Sequence, residues 1–196
     1  HWRKPSFNPY TFRLLPQVAT AMPVLMPKVV KKHNIKSIGL AFTNNDEAPA
    51  ANAKVYRDLA KAANLKLVEV SGQLKEPEYR AQVTKLKSEN VDLLVISMQP
   101  EDGGQFARQA REGGMNQVIL GSSEITDKNF KQIAAGKIGT AYTYGIYDPT
   151  DKRPYVQDFV ARFTKETGKD PGPYEAISGR NFFAVAKFAH GLNGEK

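Results

Sequence analysis

Two serines and a glutamate stand side by side in Gly121-Ser122-Ser123-Glu124-Ile125-Thr126-Asp127, the run most able to grip a small polar molecule. It follows a short apolar stretch and precedes an amphipathic one, so it reads as a loop leaving the carboxyl end of a strand. Ser122 and Ser123 can donate to an anionic group, and Glu124 can accept from an ammonium. The plainer alternative stands beside it: Thr126 or Asp127 caps the next helix and Glu124 is solvated. Glu101 and Asp102 are adjacent acids, but behind Pro100 they suit a first helical turn, where the dipole favours them. Tyr142, Tyr144 and Tyr147 read as strand packing, with room for one of them to face a cleft.

Other chemistries are set aside by composition. The 196 residues include no cysteine, which removes disulfides, thiolate nucleophiles and cysteine-ligated metals. The three histidines, His1, His33 and His190, are too scattered for a histidine-rich metal site. No Gly-x-Ser-x-Gly elbow, phosphate-cradling glycine loop or dinucleotide fingerprint is present, so no catalytic residue, metal or cofactor is expected. Lys plus Arg is 28 against 20 Asp plus Glu, a formal charge of +8. The cations are dispersed, and the densest group, Lys28, Lys31, Lys32, His33 and Lys36, falls at an expected helix end. Aromatic residues do not interleave with them, so nucleic acid is not expected as a partner. No apolar run is long enough to span a membrane. The chain opens His1-Trp2-Arg3-Lys4-Pro5 with no apolar stretch behind the charges, which is not a signal peptide. It reads as a mature protein, a cytosolic one or a fragment.

The elements that would position the serine loop alternate. Residues 37–42, 65–70, 91–97 and 117–121 are short runs rich in Val, Ile and Leu, as buried parallel strands require. Between them, apolar stripes at helical spacing comprise Ala51, Val55, Leu59 and Ala62; then Tyr79, Val83 and Leu86; then Phe106, Ala107 and Ala110; then Phe130, Ile133 and Ala134. An earlier helix carries Val18, Met22, Leu25, Met26, Val29 and Val30, with Pro23 in its first turn and a kink at Pro27. Residues 10–15 and 140–146 alternate as further strands. The expected fold is α/β, a doubly wound, mostly parallel sheet with helices on both faces, which binds ligands at the carboxyl ends of its strands. After Gly145 come two helices with no strand between them: a stripe of Tyr155, Val156, Phe159, Val160 and Phe163, then residues 174–190. They look like a helix pair from another lobe.

Several of these runs resemble a known family. Asn8-Pro9-Tyr10-Thr11-Phe12-Arg13, Val91-Asp92-Leu93-Leu94-Val95, the run from Gly104-Gln105-Phe106 to Glu112-Gly113-Gly114, Gly121, Ala135-Gly136 through Gly139, and the helix after Tyr174-Glu175-Ala176 occur in a shared order. In that order they are similar to the type I periplasmic solute-binding proteins of ABC importers, in the leucine/isoleucine/valine-binding branch. The resemblance implies an extracytoplasmic, non-enzymatic protein that closes two lobes around an amino acid or related carboxylate and delivers it to a membrane permease. It implies residues 1–15 as the hinge strand entering the second lobe and 16–146 as that lobe. Residues 147–152 would then be the crossing, and 153–196 helices returning to a first lobe that is mostly missing. It implies ligand contacts from Gln99 and from Ser122, Ser123 or Glu124, with Ser123 and Glu124 competing to meet the ligand's ammonium. Gln99 stands where members usually carry an aromatic, which weighs against a strictly leucine-type pocket. Arg180-Asn181-Phe182 stands where they tend to carry Tyr-Asp-Ala. Half a cleft implies weak binding or none. The alternative reading is the ligand-sensing effector domain of a regulator or receptor with the same fold; a small α/β enzyme has only the fold in its favour.

Overall fold

The computed structural model describes residues 16–145, 147–148, 150–172 and 175–179, and the chain divides into two compact units. The larger, Gln17–Tyr144, is a five-stranded sheet in the order β2-β1-β3-β4-β5, every pair parallel. Its strands are β1 (Ser37–Thr43), β2 (Lys66–Gly72), β3 (Leu93–Ser97), β4 (Val118–Gly121) and β5 (Ala141–Tyr142). The helices between them are α1 (Val18–His33), α2 (Glu47–Ala62), α3 (Arg80–Ser88), α4 (Pro100–Glu112) and α5 (Lys128–Ile133).

All five residues of β3 are buried, as the central strand of a sheet covered on both faces must be. One core layer joins Ala41, Leu94, Ile96 and Ile119 to Val83, Leu86, Phe106, Ala110 and Phe130, that is, to α3, α4 and α5. The other joins Ile38, Leu40, Leu93, Val95 and Leu120 to α1 and α2 through Met22, Met26, Ala53 and Tyr56. The doubly wound parallel sheet expected from the sequence is therefore present. Gly104 sits where a Cβ would come 2.7 Å from the Phe130 carbonyl, so α4 and α5 pack closer than any side chain allows.

Three details differ from the sequence reading. The helix α2 buries Pro49, Ala53, Tyr56 and Ala60, whereas Ala51 and Ala62 are exposed and Val55 and Leu59 half-buried. Two apolar stripes overlap on this helix, and the one carrying the aromatic and the small alanines faces the sheet. Pro23 lies inside α1, beyond the first turn where the sequence placed it. The strand expected over 140–146 pairs only at Ala141–Tyr142. Residue 146 and the strand expected over 10–15 lie outside the described residues.

Asp92 ties the starts of β1 and β3 together. Its Oδ2 accepts the Lys36 and Ser37 backbone N–H groups and the Ser37 hydroxyl, each at 2.9 Å. The Lys36 N–H, above all, with those from Ser37, holds this carboxyl below the usual aspartate range. A depressed carboxyl stabilises the fold above its unfolded pKa, and that contribution is lost as pH falls through the folded value. Asp92→Asn is expected to cost about 1 kcal/mol at pH 7, the side chain being exposed. Paired urea titrations should show the gap from wild type closing below about pH 4.

The smaller unit comprises residues 1–16 and 145–196. Its described helix α6 (Pro154–Thr167) opens on proline and ends at Gly168 in the left-handed conformation. Its stripe is not deeply buried: Val156, Phe159, Val160 and Phe163 are half-buried and Tyr155 is exposed. Residues 175–179 are helical, and the rest of the helix expected to 190 lies outside the described residues. None of the described helices is long and apolar enough to cross a membrane.

Candidate functional site

In an open parallel sheet, ligands settle beyond the carboxyl ends of the strands where the winding reverses, because neighbouring loops there diverge and leave a crevice. Here the reversal falls between β1 and β3. The loops leaving these strands meet at Asp46 and Gln99: Gln99 Nε2 donates to Asp46 Oδ2 at 2.7 Å. Asp46 also caps α2, accepting the Ala48 N–H at 3.3 Å. Gln99 is the cap residue of α4, with Pro100 next. Its amide N–H is thus engaged across the reversal point, and its side-chain carbonyl oxygen has no hydrogen-bond partner among the described residues.

One strand further, β4 ends at Gly121 and the chain turns at once into a short 3-10 helix, Ser123–Thr126. Gly121 permits this return, since a Cβ there would lie 2.6 Å from Ile125 Cγ2. Ser122 is buried and its hydroxyl donates to the Glu124 carboxylate. The Ser122 carbonyl accepts from the Thr143 hydroxyl at 2.7 Å, fastening the turn to the segment after β5. Ser123 and Glu124 are half-buried. Asp127 does cap α5, accepting from Asn129 N at 2.7 Å, and the Thr126 hydroxyl donates to the Ser123 carbonyl within its own turn. The plainer reading therefore holds for Asp127 alone, and Glu124 is fixed by Ser122 instead of trailing in solvent.

Tyr144 and Tyr56 complete this end of the sheet. Burial first and the Glu124 carboxylate second push the Tyr144 phenol up, while hydrogen bonds from Ser123 oppose them. The Tyr56 phenol is also raised, by burial and then by Tyr144 and Glu124, which places all three in one electrostatic neighbourhood. Tyr56 is fully buried and its hydroxyl has no partner among the described residues. Tyr56→Phe is expected to leave the thermal midpoint unchanged or to raise stability by up to about 1 kcal/mol, because a buried, unpaired hydroxyl is removed. A loss of stability in calorimetry would show that the hydroxyl has a partner.

The structure thus brings Ser122, Ser123 and Glu124 together and holds Gln99 against Asp46 at the reversal point. Sequence reasoning did not select Asp46 or Tyr56 for the site, and left Tyr144 among three tyrosines. The tie of Asp46 to Gln99 joins residues 53 apart. Glu101 and Asp102 form no dyad: Glu101 accepts from Asn129 Nδ2 at 2.6 Å, and Asp102 accepts the Lys75 N–H. Burial raises the Asp102 carboxyl, which fixes the loop after β2 from the first turn of α4. Among the described residues no cluster of His, Asp and Glu could hold a metal ion.

The smaller unit has a groove of about 450 Å³ beside α6, walled by Tyr147 and Phe159. Four of its five charged side chains pair with one another. Arg153 pairs with Asp151, Arg162 with Asp158, and Asp148 accepts from Thr150. The cluster on the larger unit keeps more polar capacity for a ligand.

No curated protein sequence matches. Among solved structures, the chain is similar to a leucine binding protein, LivK, from Thermotoga maritima. That likeness has 20% identity and a TM-score of 0.77, over 91% of this chain and 50% of that one. It is similar to the branched-chain amino acid transporter substrate binding protein LivJ from Streptococcus pneumoniae, solved in complex with isoleucine, at 21% identity and a TM-score of 0.72. That match covers 81% and 46% of the two chains. A third likeness is a solute binding protein of an ABC transporter from Rhodopseudomonas palustris in complex with 3,4-dihydroxybenzoic acid. Identity is 21% and the TM-score 0.61, over 86% and 47% of the chains. The chain spans about half the length of each. At these identities the structures establish the fold, an α/β arrangement shared with periplasmic binding proteins of type I. The sequence profile of the periplasmic binding protein family matches residues 3–194, nearly the whole chain, which therefore belongs to that family of solute-binding proteins.

Proposed function

We propose that this chain acts as part of the extracytoplasmic, non-enzymatic solute-binding component of an ABC importer, and that its ligand is an amino acid. The observation that carries this reading is the cluster of Ser122, Ser123 and Glu124 beside Tyr144 at the carboxyl ends of β4 and β5. Glu124 supplies the charge that an ammonium needs, and Ser123 is its neighbour and competitor for that contact. Gln99 offers its carbonyl to the same ligand. The half-buried Glu124 carboxylate disfavours a ligand that is only an anion, so an amino acid fits better than a simple aromatic acid.

In this reading residues 16–146 are one lobe, 1–15 the strand entering it, 147–152 the crossing, and 153–196 helices that belong to the other lobe. Transport then requires the ligand to favour a closed arrangement of lobes over an open one, and a membrane permease to accept the closed form. Saturation-transfer NMR with amino acids, aromatic carboxylates and sugars at millimolar concentration tests the ligand class, since it detects weak contacts. Transfer to amino acids, lost in Glu124→Gln, is expected. Transfer to sugars alone, or amino-acid signals equal in both proteins, overturns the assignment.

A further inference from the structure

The parallel fold sorts charge along the strand axis. Helices α2 to α5 return the chain from the carboxyl end of one strand to the amino end of the next, and α1 leads directly into the start of β1, so the C-termini of these helices gather at one end. Cations cluster in those last turns: Lys31 and Lys32 of α1, Lys61 of α2, Lys85 and Lys87 of α3, and Arg111 of α4. Acids occupy the opposite end, at Asp46, Glu47, Glu101, Asp102 and Glu124.

The cations divide by what they touch. Beneath α3 and α4 they serve the fold: Lys85 donates to the Glu69 carbonyl, Lys87 to that of Gly113, and Arg111 to three carbonyls. Beneath α1 and α2 they do not. Lys28, Lys31 and Lys61 are exposed, with no ion pair among the described residues, and Lys32 lies 5.2 Å over the Tyr142 ring. Exposed Lys36 adjoins Asp92, whose carboxylate offsets part of its charge while Oδ2 accepts three hydrogen bonds. The other acids near this end are engaged, Glu89 by Lys66 and Glu112 by Lys137. The packing of α1 on α2 brings Lys61 to the same end of the fold as the lysines of α1, where Lys36 begins the approach to β1. The two helix dipoles and the Asp92 carboxylate together offset about two charges of the five.

We propose that this lysine face, Lys28, Lys31, Lys32, Lys36 and Lys61, docks on an anionic phospholipid surface. The inference rests on the importer reading only in that an importer component works beside a membrane. The face is exposed and rich in lysine, and the one aromatic in contact with it, Tyr142, is half-buried beneath Lys32. It suits diffuse attraction to headgroups better than base stacking. Such attraction concentrates a carrier near its permease and is screened by salt.

Sedimentation with sucrose-loaded vesicles of phosphatidylcholine, with and without roughly a quarter phosphatidylglycerol, tests this on the full chain. Each lysine at an anionic surface is worth roughly fivefold in partition. Binding to the phosphatidylglycerol vesicles at about 0.05 M salt is expected, and about tenfold less at about 0.5 M or on phosphatidylcholine alone. Lys31→Gln, Lys32→Gln and Lys61→Gln together should lose roughly a hundredfold. If that triple variant does not fold, Lys31→Gln alone should lose roughly fivefold. A control, Lys128→Gln with Lys165→Gln, should stay within about twofold of wild type because those residues lie outside the face. Equal binding to both vesicle types, equal losses in the two variants, or tighter retention on duplex DNA than on vesicles would overturn the proposal. Amino-acid contacts read in parallel keep the two ideas separate: if they persist without vesicle binding, only the docking face falls.

Discussion

Glu124→Gln is expected to weaken amino-acid binding about thirtyfold, the effect of replacing a charge-assisted contact worth about 2 kcal/mol by a neutral one. Glutamine keeps the shape of the side chain, and its carbonyl can still accept the Ser122 hydroxyl that now bonds the carboxylate. The short helix after Gly121 should therefore keep its conformation, and the thermal midpoint without ligand should stay close to wild type. Ser123→Ala tests the competing position and should cost less than about tenfold, since a neutral hydroxyl contact is lost and no charge. Titration calorimetry, with competition where binding is weak, separates them. Equal losses in both variants would divide the ammonium contact between them, and a loss confined to Ser123→Ala would move it to the serine.

The second large effect concerns stability. Arg111→Met is expected to cost about 3 kcal/mol, a substantial part of the 5–15 typical of a domain. The guanidinium reaches the carbonyls of Met115 at 2.7 Å, Gln117 at 2.8 Å and Ile138 at 2.6 Å. It thereby joins the end of α4 to the segments entering β4 and β5. Burial presses its pKa down, yet the planar fork suits three diverging carbonyls in a way no ammonium does. Methionine retains the apolar stem and leaves those carbonyls to water or to nothing. Arg111→Lys should recover at most about 1 kcal/mol, since one compact charge meets one or two of them. Urea unfolding with an unchanged slope and a lower midpoint is the expected signature. A midpoint within error of wild type would mean that the carbonyls find other donors.

The strands and most helix faces were legible because burial on both sides of a sheet leaves a strong mark. Leu93-Leu94-Val95-Ile96 admits no other easy reading, and it proves to be the central strand. The proline opening of α4 was equally local. The orientation of α2 was not, because two overlapping stripes satisfy helical spacing and only the sheet decides that Tyr56 faces inward. The brevity of β5 was hidden for a similar reason: alternation in 140–146 allows a strand, but pairing needs a partner, and β4 itself ends at Gly121. At the site, Ser122, Ser123 and Glu124 were visible as adjacent residues of a strand-to-helix loop. Their setting was not. The contact of Ser123 with Tyr144 and the Asp46–Gln99 bond join distant parts of the chain, and no spacing rule reports them. The lysine face was seen as a cluster at a helix end, but Lys61 joins it only through the packing of α1 on α2.

Backbone-amide NMR during titration with an amino acid at millimolar concentration most directly tests whether the strand ends of the larger unit grip the solute. Saturable shifts confined to Gln99, Ser122, Ser123, Glu124 and Tyr144, and absent in Glu124→Gln, are expected. Shifts that fall elsewhere, at the lysine end of α1 or along α6, with these five amides unmoved, would contradict the assignment.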